Sequence, residues 1–484
     1  MLNRAHKGWN GTLREGALGL SGGISVRWPQ AVPLVATSLA FALVQLDVTI
    51  VTIALDRLRV VMSGDAAWLQ WVVDGYTLSF AGLLLTGGAL GDRFGARRIY
   101  LLGLSVFTLA SLGCGIAPSA GALIIARVIQ GVGAALLLPC SLALLVHMYR
   151  DPHKQAQAIA VWGSAGGLAM VAGPVVGGVL ISLFGWRSVF LVNIPLGIAA
   201  VAVTIHAVPD TNRGATPRSF DLAGQVLAIV LSVALTGSII EGPRLGWMSP
   251  LTIGGVTTFL VASVGFLAAE GRNPAPMMPL YLFQRPSFSA ASAIGIVLSF
   301  GFYGMIFLYS LYFQRYLGMS PLEAGFAFVP MTGFMAASNI IAGYAVVQWG
   351  PRLPIVVGLL VGSAGYGLLA IFLSTATTYR EIWWMLLLVG FSAALTVTAM
   401  TAAAMRMVEP IEAGIASGVL NAVRQTAGAI GVAVLGVIGV AGTSTAGMRL
   451  AAVLVCVLYA LASVVGLLFI AGGRPLPPCG GTVV

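Results

Sequence analysis

Charge is what this sequence has least of. Only 8% of its residues are charged and 58% are hydrophobic, whereas a soluble domain carries about 25% charged residues. That shortage excludes an ordinary soluble globular fold. Lysine is nearly absent, with Lys7 and Lys154 alone, and no GxxxxGK[ST] occurs. A nucleotide-driven pump with its own phosphate loop is thereby excluded. Histidine is confined to His6, His147, His153 and His206, in loops or near the ends of apolar stretches. With no HExxH present, an intramembrane metalloenzyme has no ligand set, and neither metal nor cofactor is expected. Cys114, Cys140, Cys456 and Cys479 show no CxxC spacing, so neither a disulfide framework nor a zinc site is expected. Residues Gly19 to Gly23 match GxSxG around Ser21, but no strand precedes them and the match is read as chance.

Long apolar runs dominate what is there. Crossing about 30 Å of hydrocarbon takes about 20 residues of helix. Fourteen stretches qualify, near 31–55, 67–90, 99–117, 119–147, 156–182, 187–208, 221–240, 250–269, 288–314, 321–348, 353–374, 382–405, 413–441 and 447–472. The reading is an all-α polytopic membrane protein. Its 62 glycines suit helices that approach closely in lipid. Residues 1–30 hold Arg4, Lys7, Arg14 and Arg27 with no apolar core behind them, and are read as a cytoplasmic tail rather than a signal peptide. With that tail inside, sixteen of the 25 basic residues fall in cytoplasmic loops and seven outside, while Arg127 and Arg424 lie within apolar stretches. This bias accounts for the net charge of +10 without invoking nucleic acid. It predicts an inner-membrane protein with both termini cytoplasmic, and Trp383 and Trp384 are read as interface anchors.

An internal repeat is visible. Gly88, Gly95 and Arg97 follow the second stretch, and Gly343, Gly350 and Arg352 follow the tenth at the same spacing. Six stretches (31–208) then repeat as six (288–472). Residues 209–287 hold linkers and two inserted helices, and 473–484 form a cytoplasmic tail.

Several motifs fall in order along this frame. Gly88 to Arg98, with Asp92, Arg93, Gly95 and Arg97, lies between stretches two and three. Arg127 to Gly133, including Gln130, lies on the fourth, and Gly163 with Gly173, Pro174, Gly177 and Gly178 lies on the fifth. Leu46-Asp47-Val48-Thr49 lies on the first, Trp71 to Tyr76 with Asp74 on the second, Glu241 to Trp247 ends the seventh, and Asn421 with Arg424 and Gln425 lies on the thirteenth. These resemble motifs of the major facilitator superfamily, in particular its fourteen-helix drug:proton antiporter branch, and are similar to the methylenomycin-type antibiotic exporters within it. The resemblance implies two parallel six-helix halves around a central cavity, the general arrangement of such transporters. It also implies a proton gradient as energy source, Asp47 as a coupling residue, an inner gate at Gly88–Arg98, and an antiport role for the fifth helix.

The residues support a parallel reading. A charge in the bilayer costs at least about 2.5–3.5 kcal/mol and needs a partner or a task. Asp47, Asp74 and Arg127 lie seven or eight residues from the outer ends of their helices, a common depth of about 10–12 Å. Two acids facing one base leave a carboxylate short of a partner, and a proton is the partner that desolvation favours. A purely structural ion pair is the plain alternative. Asp92 is placed to dock on the positive start of the thirteenth helix near Ala413. The second copy has Val347 and Gln348 instead of Asp92 and Arg93, so any latch is asymmetric. Pro174 removes a backbone donor, and the glycines beside it would let the fifth helix seal against the opposite half.

Gln130, Asn421, Arg424, Gln425, Tyr303 and Tyr309 are candidate cavity residues. The tyrosines are equally compatible with lipid-facing positions, as are Phe302, Tyr312 and Phe313. Arg424 has no acid nearby in its own half. The expected function is a monomeric, proton-coupled exporter of small amphipathic or antibiotic-like molecules, partnered by its substrate, protons and the bilayer. A solute:proton symporter is the second reading, and an intramembrane enzyme the third.

Overall fold

A computed structural model describes residues 28–62, 66–149, 151–208, 221–273, 276–374, 377–408, 413–440 and 445–472. The GxSxG match and Cys479 lie outside these. Helices follow one another as α1 (Trp28–Val61), α2 (Ala66–Phe94), α3 (Ala96–Ile116), α4 (Ala120–Met148), α5 (Pro152–Phe184) and α6 (Ser188–Leu191 continued by Asn193–Ala207). Next come α7 (Leu222–Leu245), α8 (Pro250–Arg272), a 3-10 turn (Leu280–Gln284) and α9 (Pro286–Leu311, ending in a π turn, Tyr312–Tyr316). The chain closes with α10 (Pro321–Ala327 continued by Val329–Trp349), α11 (Arg352–Phe372), α12 (Tyr379–Met405), α13 (Ala413–Val440) and α14 (Thr445–Phe469). Among the described residues 13 helices are long and apolar enough to cross a membrane. The remaining one, α2, has 29 residues and is made more polar by Gln70, Asp74, Thr77 and Ser79. No strand occurs among the described residues.

Helix ends are written in the local sequence. Ser119, Ser249 and Asp221 accept from the backbone amides of Ala122, Thr252 and Gly224. Ser320 with Glu323 and Thr378 with Glu381 form capping boxes, satisfying donors that a helix start leaves open.

One group of contacts joins α2 with α4, α1 with α5 and α3 with α4; a second joins α9 with α13, α10 with α12, and α11 with α12 and α14. Glycine sets these approaches. A Cβ on Gly304 would lie 2.6 Å from the Gly431 carbonyl oxygen, and one on Gly131 would collide with the Tyr76 carbonyl. The two groups meet through α2 with α13, α5 with α10, and α1 with α9. Helices α7 and α8 pair with each other, and α7 lies against both α2 and α13. Leu109, Ile125, Leu183, Val261 and Ile371 are among many large apolar side chains left exposed, as a lipid-facing surface requires.

The repeat extends to backbone conformation. Gly95, between α2 and α3, has φ 98°, and Gly350, between α10 and α11, has φ 73°. Both turns need the left-handed region that glycine enters without steric cost.

Candidate functional site

The two halves are sealed at one end and parted at the other. At the sealed end Ser310 Oγ donates to Thr52 O at 2.5 Å, and Gln314 Nε2 to Ile53 O at 3.2 Å. There Arg315 Nε also meets Asp56 Oδ1 at 3.0 Å. The opposite end holds a cavity of about 700 Å³, with Asp92 on α2 and Ile415, Ser417 and Asn421 on α13 among its lining. These are the Asp56 and Asp92 ends below. Deeper between α1, α2, α9 and α13 lies a space of about 20 Å³, lined by Thr49, Tyr76, Thr77, Phe80, Tyr303 and Gln425 among others, room for about one water.

Glycine spacing on α5 explains the seal. A Cβ on Gly173 would collide with Thr49 Oγ1, and one on Gly177 would lie 3.0 Å from Ile50 Cγ1, so these two hold α5 against α1. A Cβ on Gly178 would lie 2.6 Å from Pro321 O, and one on Gly325 would strike the Pro174 carbonyl, so α5 and α10 touch backbone to backbone across the halves. Gly163 stands apart from this face, with nothing within 4 Å of its would-be Cβ. The packed run begins instead at Gly166, against Phe41. Helix α5 continues unbroken through Pro174.

The buried charges sort themselves differently from a single shared layer. Arg127 is 1% exposed and Asp47 0%. The Arg127 guanidinium forms an ion pair with Asp47, and donates to Gln130 Oε1 at 2.8 Å and Val72 O at 3.0 Å. It also lies 4.3 Å from the Tyr76 ring centroid. Asp47 Oδ1 accepts further from Gln130 Nε2 at 2.9 Å and Asn193 Nδ2 at 3.1 Å. Asp47 therefore has a full set of partners. Asp74 is equally buried, and neither carboxyl oxygen has a hydrogen-bond partner. Of the two acids facing one base, Asp74 is the one left without a partner. Depth along a helix is shared, but direction around it is not, and Arg127 points to α1.

Where Asp74 points follows from Gln70, one turn nearer the Asp56 end. Gln70 Nε2 donates to Ala433 O on α13 at 3.2 Å. Four residues on, Asp74 lies on the same face of α2, at the contact between the halves.

In the Gly88–Arg98 segment, the close approaches belong to neighbours of the expected glycine. A Cβ on Gly87 would collide with Ala135 O and one on Gly91 would lie 2.7 Å from Cys140 Sγ, while Gly88 has only ordinary contact with Pro139. Arg97 donates to Ile205 O at 2.8 Å, tying the loop to the end of α6. Arg93 lies 5.3 Å from the Phe94 ring centroid, and Arg98 is exposed. Residues 409–412, ahead of α13, lie outside the described residues, and so does the Ala413 side chain.

Among the cavity candidates, Asn421 lines the open cavity, and Tyr303 and Gln425 the deeper space. Arg424 is half-buried between these two positions on α13. Gln130 belongs to the Asp47–Arg127 network, since its carboxamide is engaged by that pair and by Ser111. Tyr309 is packed in the second half, stacked on Phe313, so it faces neither cavity nor lipid. Phe302, Tyr312 and Phe313 are buried too.

Sequence reasoning passed over several residues. Asn193 is a lone amide in an apolar stretch, a signal that was available. Asp56 carries no local signal beside Arg57 and Arg59, and its partner Arg315 is 259 residues away. Inserted helix α7 is pinned to α2 by Gln225, which bonds Thr86 and the Gly82 carbonyl, and by Trp71 Nε1 donating to Glu241 Oε1 at 3.1 Å.

Two helical groups sealed at one end, parted at the other, with paired charge inside the apolar layer, define a multi-pass membrane transporter. The chain belongs to the major facilitator superfamily: the family model described as Major Facilitator Superfamily matches residues 37–432. It is 35% identical to the methylenomycin A resistance protein of Streptomyces coelicolor, over 85% of this chain and 86% of that one. It is 35% identical to the protein of the same name from Bacillus subtilis, over 90% and 94%. A multidrug resistance protein, Stp, of Mycobacterium tuberculosis is 37% identical over 84% and 75%. The fold is shared with a solved bacterial homologue of the human lysosomal transporter Spinster in its inward-facing, unoccupied form. There the TM-score is 0.66 and the identity 18%, over 92% of this chain and 97% of that one. The chain is thus similar over most of its length to resistance proteins of the superfamily.

Proposed function

We propose that this chain exports small amphipathic molecules in exchange for protons, by alternating access. Asp74 carries the reading. A carboxyl group with no hydrogen-bond partner, buried where α2 meets α13, is expensive to leave ionised. A proton is its cheapest partner, and ionisation must await water entering between the halves. Gain and loss of that proton is thereby tied to opening and closing of the α2–α13 contact. Asp47 and Arg127 compensate one another and hold the first half's geometry.

The cavity at the Asp92 end supports the substrate class. Its volume falls within the range of about 300–1,000 Å³ typical of small-molecule sites, and its walls are largely apolar. The excess of arginine and lysine in loops on that side favours a cytoplasmic Asp92 end in the inner membrane, with both termini inside. The names of the relatives, resistance and export proteins, favour export over uptake. No bound cofactor is invoked, and a monomer completes the path.

Reconstituted proteoliposomes test this. An imposed pH gradient should drive accumulation of a fluorescent amphipath, and collapsing the gradient with a protonophore should abolish it. Accumulation that ignores the gradient would exclude proton exchange.

A further inference from the structure

Arg424 is, with Arg127, one of two basic residues within the apolar stretches, and its circumstances are the reverse of those of Arg127. Its Nε is buried with no hydrogen-bond partner, and its stem packs against Gly295 on α9, where a Cβ would lie 3.0 Å from Cγ. Both described acids of the second half are spent elsewhere, Glu323 and Glu381 each closing a capping box at a helix start. Glu409 and Glu412 lie outside the described residues. Among the described residues no carboxylate of its own half pairs with it.

Position gives this cation a use. Asn421, three residues earlier, lines the open cavity, and Gln425, the next residue, lines the deeper space. Arg424 lies between these positions on the same helix, partly exposed though itself in the lining of neither space, and Tyr303 of α9 lines the deeper one together with Gln425. Asp92 and Asp221 lie in the lining of the large cavity, and Asp47 is neutralised by Arg127. The lining residues of the deeper space include no acid. An anion reaching this depth meets a guanidinium fork with donors to spare, flanked by two amides and a phenol.

We infer that Arg424 is an anion-recognition site on the transport path, and that the transported molecules carry a carboxylate or comparable single anionic group on an amphipathic body. This rests on the exporter reading and narrows its substrate class. Substrate supplies the counter-charge that the protein withholds, so the loaded cavity is electrically better matched than the empty one.

Dansylglycine, whose single anionic group is a carboxylate, and its neutral methyl ester are the probes, with binding to purified protein followed by fluorescence polarisation. The parent should bind dansylglycine more tightly than the ester. Arg424→Gln should lower dansylglycine affinity at least about tenfold, the loss of a charge-assisted hydrogen bond, and leave the ester unchanged. Arg424→Lys, keeping the charge but not the fork, should fall between. Thermal melting of both variants should match the parent, since no internal partner is lost. Equal binding of the two dyes by the parent, or an equal loss of both in Arg424→Gln, overturns the anion site while leaving exchange transport to stand on its own test. A parent that neither binds nor transports either dye counts against the exporter reading and removes this inference with it.

Discussion

Arg315, in the π turn that ends α9, reaches across the halves to Asp56 near the end of α1, Nε to Oδ1 at 3.0 Å. Arg59 shares the same carboxylate at 3.6 Å. It is the ion pair that ties the two halves at the sealed end, beside the Ser310 and Gln314 hydrogen bonds. Opening that end must break it.

Asp56→Asn should therefore favour the form open at the Asp56 end. Both partners are partly exposed, with side chains 24% and 22% accessible, so the effect is bounded by the value of surface pairs, about 1 kcal/mol or less, a population shift of up to about fivefold. Distances between spin labels placed on α1 and α10 would report it. An unchanged distribution would show that the α5–α10 contact alone sets the closure.

Asp74 and Asp47 should respond differently to the same substitution. Asp74→Asn removes an acid with no partner, so the protein should melt at or above the parent temperature while substrate-induced proton release is lost. Asp47→Asn strips the counter-charge from Arg127 and should cost about 3–5 kcal/mol of stability. Calorimetry and proton release in detergent separate the two. If Asp74→Asn releases protons as the parent does, coupling resides elsewhere.

Glycines on α5 offer a contrast within one helix. Gly178→Ala places a methyl 2.6 Å from the Pro321 carbonyl oxygen, and neither backbone can retreat without parting the halves. Transport should fall at least about tenfold while expression holds. Gly163→Ala, with open space around it, should transport normally. Equal rates for the two would remove the sealing role of α5.

Asp92→Asn should slow transport and leave substrate affinity largely intact, because Asp92 stands at the cavity rim, not at the deeper space. Turnover in vesicles and binding in detergent are the two readouts. A parallel loss of affinity would assign Asp92 to substrate contact instead of gating.

A reporter fused after Arg474 should be cytoplasmic, and one inserted beside Trp247 should be external. An external C-terminal reporter would mean an odd number of crossings and would reverse the orientation of one half.

Much of the architecture was legible before any coordinates, because lipid is an undemanding reader. It asks for about 20 apolar residues per crossing, and 99–117 or 353–374 declares itself at that scale, to be met by Ala96–Ile116 and Arg352–Phe372. Gly95 and Gly350 announced a repeated turn for a similar reason, since a positive φ restricts the residue locally. The shared depth of Asp47, Asp74 and Arg127 was also countable, at a fixed rise per residue. What counting does not contain is rotation about each helix axis and the choice of neighbour. Those decided that Arg127 pairs with Asp47 and leaves Asp74 alone, that Gln130 serves this pair, and that Tyr309 turns into the second half while Tyr303 meets the path. They also brought Asp56 to Arg315, residues whose sequence positions look like ordinary loop charges. Each is an outcome of packing between helices far apart in the chain, where steric fit and charge compensation are settled together and only in three dimensions.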